Sequence, residues 1–186
     1  MRNELRIVGG LWRSRKLKFP DAEGLRPTPD RVRETLFNWL RLDVEDARCL
    51  NLYAGSGALG FEAASRGAAR VVQVEKNPTV CAALERNRAL LEAHRVEIVR
   101  ADVIRYLGGP AEPYDLAFVD PPFRHGLLAP SCVLLEERGW LAAQAKIYFE
   151  IEKGVSLDGL PPGWRLLRDG VAGEVNYFLY QRNPSP

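Results

Sequence analysis

Apolar residues in this chain fall into short continuous runs, and the runs alternate with segments whose apolar positions recur at helical spacing. Runs near 49 to 53, 70 to 74, 96 to 100 and 115 to 119 predict strands buried on both faces. Helical patterns near 58 to 66, 77 to 92 and 102 to 107 lie between them, so the order predicts an α/β fold with a doubly wound parallel sheet. Upstream, Thr28 stands where it can cap a helix that begins at Pro29, with Val32, Leu36, Phe37 and Leu40 as its apolar stripe. Downstream, a helix around 127 to 138 leads to a fifth strand, Lys146 to Ile151. Trp164 to Arg168 and Val175 to Gln181 then read as an antiparallel C-terminal hairpin that completes a mostly parallel, seven-stranded sheet. Pro161-Pro162-Gly163 is a turn and Asn183-Pro184-Ser185-Pro186 a terminal tail. No repeat, low-complexity tract or interdomain linker interrupts the pattern.

The stretch from Arg6 to Lys18 differs, mixing Ile7, Val8, Leu11 and Leu17 with cations and Trp12. It predicts a short basic β-hairpin, and the expected division is an arm over 1 to 24 and one domain over 25 to 186. Net charge is only +2, but residues 1 to 41 hold ten basic residues (Arg2 among them) against five acidic ones. Arg6, Arg13, Arg15 and Lys16 are therefore candidate phosphate contacts, with Trp12 as a base-stacking ring. A solvated, charged edge strand has the same pattern. With 186 residues and 46% hydrophobic content, the chain suits a single core. No apolar stretch approaches transmembrane length and no signal-peptide core follows Met1, so a cytoplasmic protein without a membrane partner is expected. Cys49, Cys81 and Cys132 have neither metal-ligand spacing nor an even count, so no metal is expected.

Two motifs carry chemistry. The first strand, with Asn51 and Tyr53 at its end, runs into Ala54-Gly55-Ser56-Gly57-Ala58-Leu59-Gly60, a glycine-rich turn before a helix where a ligand can approach the backbone. Glu75, followed by Lys76, ends the next strand about 20 residues past the first glycine, where a carboxylate reaches ribose hydroxyls. Asp102 closes the third strand and can read an adenine edge together with the Val103 backbone, or simply cap the next helix. Dehydrogenases and methyltransferases share this arrangement. The second motif, Asp120-Pro121-Pro122-Phe123, stops the fourth strand at the end where open α/β sheets bind ligands. A carboxylate, a stiff carbonyl and a ring fixed together there suit an exocyclic amino group, accepting its hydrogens while Phe123 stacks on the heterocycle. A proline-rich turn with a buried Phe is the plainer alternative. A dehydrogenase needs room for a second domain that this chain lacks.

The chain resembles the RsmD family of small-subunit ribosomal RNA guanine-N2 methyltransferases from Arg6 to Arg182. The most specific segments are Gly24 to Leu40 (GLRPTPDRVRETLFNWL), Ala54 to Gly60, and Phe118 to Arg124. The resemblance implies a Rossmann-like class I fold, S-adenosylmethionine as cofactor, and a guanine of 16S ribosomal RNA as target, free or in an assembled small subunit. It places Arg26, Pro27 and Thr28 at the methionine end of the cofactor, and Glu75 and Asp102 on ribose and adenine. Asp120 then borders both cofactor and target amine, and Arg124 joins the RNA contacts. Asn51 stands where similar proteins carry an aspartate. His125 follows the catalytic loop without an assigned role, and a monomer is expected. Adenine-N6 methyltransferases share the carboxylate-Pro-Pro-aromatic logic, a protein-glutamine methyltransferase would carry Asn at 120, and an inactive RNA-binding scaffold would not need Asp120 and Glu75.

Overall fold

The computed structural model describes residues 3–183, so Arg2 and the tail residues 184–186 lie outside the described part. Strands β1 (Glu4–Arg6) and β2 (Lys16–Lys18) pair antiparallel as the N-terminal hairpin. The sheet is built from β3 (Arg48–Leu52), β4 (Arg70–Glu75), β5 (Val96–Arg100), β6 (Tyr114–Val119), β7 (Leu141–Glu152), β8 (Trp164–Ala172) and β9 (Val175–Arg182). Helices α1 (Asp30–Trp39), α2 (Ala58–Ser65), α3 (Pro78–Leu90), α4 (Val103–Leu107) and α5 (Leu128–Glu137) cover it. The seven strands lie in the order β5-β4-β3-β6-β7-β9-β8. The first five are mutually parallel, and β9 runs antiparallel to both β7 and β8. The chain starts at β3, winds outward to β5, then returns to the other side of β3 at β6. That reversal opens a crevice beyond the carboxyl ends of β3 and β6, the ligand position of such sheets.

Successive strand residues feed opposite cores, as the period of 2 requires. Cys49, Val71 and Phe118 pack with α1, α2, α3 and the hairpin on one face, whereas Leu50, Val72 and Val119 pack with α4 and α5 on the other. Leu5, Ile7 and Leu17 of the hairpin are buried in the first core. The hairpin is also held by a fully buried ion pair, Arg33 with Glu62 at 3.1 Å. Glu62 accepts from the Val8 and Gly9 amides at 3.0 and 2.8 Å, and Arg33 donates to the carbonyls of Arg6 and Thr28 at 2.7 and 3.1 Å.

Thr28 does not cap α1. The helix starts at Asp30 after Pro29 without a side-chain cap, and the Thr28 hydroxyl donates to Glu150 Oε1 at 2.8 Å. A charge-assisted bond to a buried carboxylate is stronger than a neutral cap. Strand β7 also begins five residues before the expected Lys146, its pairing with β6 shifting register between Tyr114 and Leu116. Alanines over 142, 143 and 145 give that segment no apolar period to read. Among the described residues, no helix is long and apolar enough to cross a membrane.

Candidate active site

The end of β3 turns abruptly into the crevice, with Tyr53 at φ 58° and Gly55 at φ 55°. The Glu75 carboxylate braces this turn, accepting from the Gly55 amide at 3.0 Å and, through its other oxygen, from the Asn77 amide at 2.9 Å. The three glycines of the turn serve different ends. A Cβ on Gly57 would sit 2.6 Å from Leu84 Cδ2, and one on Gly60 would sit 2.5 Å from the Gln73 carboxamide, so both are required by packing. At Gly55 the nearest atoms to a Cβ lie 3.8 Å away, so a side chain there would project into open space in the crevice.

That space is a cavity of about 150 Å³ lined by Tyr53, Gly55, Glu75, Lys76, Asp102, Val103, Asp120 and Pro122. An adjoining recess of about 50 Å³ is lined by Arg26, Pro27, Thr28, Asn51, Ser56 and again Asp120. Every cofactor candidate named from sequence borders one or the other except Gly57, which is packed beneath Phe61 and Leu84. Asp102 caps α4 through Oδ1, which accepts from the Arg105 amide at 3.1 Å, and lines the cavity as well. Asn51 is buried and donates to Gln73 Oε1 at 3.0 Å, leaving Gln73 Nε2 without a partner.

A third cavity, about 230 Å³, lies on the other side of the Asp-Pro-Pro-Phe loop, lined by Pro121, Pro122, Phe123, Glu150, Glu152 and Leu157 among others. The loop is therefore a wall between two chambers, with Pro122 bordering both. Arg26 sits over the Phe123 ring, its guanidinium carbon 5.2 Å from the centroid, and braces the wall. One residue past the β6–β7 pair Val119–Phe149, the parallel register brings Asp120 beside Glu150. Burial and the neighbouring Glu150 charge push the Asp120 carboxyl well above the usual aspartate range, opposed by Arg26. Burial also raises Glu150, against which the hydroxyls of Thr28 and Tyr148, each 2.8 Å from Oε1, favour its ionised form.

The basic candidates are spread over the hairpin surface. Arg6 donates to Asp30 at 3.3 Å, Arg15 to the Leu90 carbonyl at 3.1 Å, and Lys16 lies 3.8 Å from Glu4. Arg13 is exposed, while Trp12 is half-buried against the first core. Arg124, its side chain 86% exposed, lies 3.7 Å from Glu152 at the rim of the third cavity, beside exposed His125. The three cysteines are buried and unpaired, and burial holds their thiols protonated, which leaves no activated thiolate at the wall.

Residues 5–181 match the protein family described as Conserved hypothetical protein 95. The chain is 50% identical to the Ribosomal RNA small subunit methyltransferase D of Escherichia coli (strain K12) over 179 residues, covering 96% of this chain and 90% of that protein. It is 43% identical over 184 residues to the protein of the same name from Haemophilus influenzae, covering 97% and 95%. The chain belongs to the RsmD methyltransferase family. A solved methyltransferase structure from Escherichia coli, yhhF, superposes with a TM-score of 0.91 at 47% identity, covering 98% of this chain and 99% of that one. The seven-stranded sheet is thus the class I Rossmann-like methyltransferase fold, and the methyl donor of this RsmD-family chain is S-adenosylmethionine. The residues fit that donor. Gly55 keeps its cradle clear, and Glu75 and Asp102 border the same cavity as acceptors.

Several residues at or under the site escape a reading of the sequence. Glu150 lies in the run Tyr148-Phe149-Glu150-Ile151, where a lone carboxylate inside a buried strand was the one signal of its role. Arg33 sits between apolar positions of α1 and is fully buried by virtue of its partner Glu62. Tyr53 Oη and Ser131 Oγ share a hydrogen bond of 2.8 Å that joins β3 to α5, a contact 78 residues apart that no local pattern announces.

Proposed function

We propose that this chain transfers a methyl group from S-adenosylmethionine to the exocyclic N2 of a guanine in 16S ribosomal RNA. The observation that carries this reading is the Asp120-Pro121-Pro122-Phe123 wall, with a chamber lined by the glycine turn, Glu75 and Asp102 on one side and one lined by Phe123 and Glu150 on the other. The names of the relatives supply the class of RNA. Bound in the first chamber, S-adenosylmethionine supplies an electrophilic methyl on a sulfonium. The chain's residues bind, orient and desolvate. Arg26, Pro27, Thr28 and Asn51 take the methionine end, and Glu75 with Asp102 and Val103 takes ribose and adenine.

The guanine amine is a weak nucleophile because its lone pair is delocalised into the ring. Asp120 and the Pro121 carbonyl accept its two hydrogens, which favours a tetrahedral nitrogen and turns the lone pair toward the cofactor chamber. Phe123 stacks on the extruded base, and Pro122 stiffens the wall between them. No general base has to act before attack, since the amine proton becomes acidic only as the new N–C bond forms, and Asp120, which already accepts its hydrogen bond, then takes it. Catalysis is then mostly positioning and electrostatics. The hairpin, with Arg6, Trp12, Arg13, Arg15 and Lys16, and Arg124 at the chamber rim contact the RNA, and the enzyme acts as a monomer on naked RNA or an assembled subunit.

The test is incubation with labelled cofactor and, separately, purified small subunits, naked 16S RNA, DNA and protein, followed by mass spectrometry of the digested product. N2-methylguanosine from small-subunit RNA is expected. N6-methyladenosine, or label in protein, would overturn the assignment.

A further inference from the structure

Strand β7 places two carboxylates, Glu150 and Glu152, in the target-side chamber. Glu152 lies 3.7 Å from Arg124 at the rim, whereas Glu150 lies deeper and the methyl-transfer reading above gives it no task. It is 8% exposed. Both of its hydrogen bonds from the protein, from Thr28 Oγ1 and Tyr148 Oη, fall on Oε1 at 2.8 Å, so among the described residues Oε2 has no donor. A carboxylate buried to this degree is costly unless something satisfies its second oxygen. The residue lines the chamber together with Pro121 and Phe123, and the strand register sets it beside Asp120. Two adjacent carboxylates thus flank the wall, Asp120 on the cofactor-side cavities and Glu150 on the target-side chamber.

Guanine is the base whose pairing edge offers adjacent donors to match, N1–H next to the N2 amine, whereas adenine turns an acceptor N1 toward the same place. Building on the guanine-N2 reading, we infer that Glu150 Oε2 accepts the N1–H of the target guanine while Asp120 accepts from N2, so that Glu150 is the residue that selects guanine over adenine. Thr28 and Tyr148 are positioning residues for it, holding Oε1 so that Oε2 is presented to the chamber. An adenine placed there would oppose its N1 lone pair to a carboxylate and leave a buried charge unpaired, a combination that discriminates strongly.

The experiment begins once the modified position has been mapped by mass spectrometry. Small-subunit RNA is then prepared with 2-aminopurine at that position. This base keeps the N2 amine but has an acceptor at N1 and lacks O6. The wild-type enzyme is expected to methylate guanine at least about tenfold faster than 2-aminopurine in kcat/KM. In Glu150→Gln the amide can keep its oxygen on Thr28 and Tyr148 and present N–H to the base, so the guanine to 2-aminopurine ratio should fall at least about tenfold. Cofactor affinity by calorimetry should be unchanged. Loss of O6 affects both enzymes alike, so the change in ratio isolates N1. A wild-type enzyme indifferent to 2-aminopurine, or a Glu150→Gln ratio equal to wild type, overturns the assignment of Glu150 while leaving guanine-N2 transfer intact. Should Glu150→Gln fail to fold, the same ratio is read in Tyr148→Phe, which removes one of the two donors that hold Oε1: a fall in the ratio supports the assignment and an unchanged ratio overturns it. Absence of N2-methylguanosine in the mapping step itself is the distinct failure that removes the guanine-N2 reading and this inference together.

Discussion

Asp120 carries opposite demands from the fold and from the chemistry. Burial and the Glu150 charge raise its pKa, with only Arg26 pulling it down, while acceptance of amine hydrogens calls for the carboxylate. The ionised form is lost as pH falls through the raised folded value, so kcat/KM should decline on the acid side at a higher pH than an ordinary aspartate would give, a difference a pH–rate profile will read. The stability effect has the opposite sense. A folded pKa above the unfolded one contributes stability below the ordinary aspartate pKa, and that contribution is lost as pH rises through the folded value. Asp120→Asn cannot ionise, so its Tm should exceed the wild type's increasingly as pH rises, as thermal melts across pH will show, even though transfer is abolished. Asp120→Ala should likewise eliminate transfer with cofactor affinity nearly intact in calorimetry, and a large loss of cofactor binding would contradict the placement of Asp120 on the amine. Glu75→Ala should do the reverse, costing about 1 to 3 kcal/mol of cofactor binding. The Gly55 and Asn77 amides lose their partner in that variant, so part of the loss is the turn relaxing.

The hub of Arg33 and Glu62 joins four segments: the hairpin through Arg6, Val8 and Gly9, the loop at Thr28, helix α1 and helix α2. Breaking a buried pair strands the remaining charge, so Arg33→Met should cost about 3 to 5 kcal/mol in urea titrations. Removal of the exposed Arg6–Asp30 contact should cost no more than about 1 kcal/mol. Such through-space partners are what the sequence hides. The parallel strands and their helices were legible, because apolar runs such as Val71-Val72 and Leu116-Ala117-Phe118-Val119 record burial on both faces. Glycine and proline punctuation located both loops of the site. The roles of Thr28, Gly57 and Glu150 were not legible, because each is decided by a residue distant in sequence: Glu150 for Thr28, Leu84 for Gly57 and Asp120 for Glu150.

At the scale of the molecule, the hairpin cations present charge without specifying a base, the turn bearing Arg13 seated by Ser65 and Arg15 by Leu90 at the C-terminal ends of α2 and α3. Neutralising Arg13, Arg15 and Lys16 together should flatten the logarithmic salt dependence of RNA binding by roughly 0.7 to 0.9 for each phosphate that no longer has a cation beside it, with cofactor affinity constant. Arg13 should account for most of the change, since Arg15 and Lys16 already have partners in the fold. An unaltered slope would make the hairpin a solvated edge. Trp12→Ala should weaken RNA binding by about 1 to 3 kcal/mol with little change in slope. Leu5, Ile7 and Leu17 seat the hairpin in the core, and the Arg33–Glu62 pair bolts it to two helices, so this surface exists before any nucleic acid arrives. A preformed surface surrenders almost no chain entropy on association, unlike an arm that orders only on contact. The adaptation in shape then falls to the RNA, and the enzyme should favour a target nucleotide that its own strand already leaves unstacked.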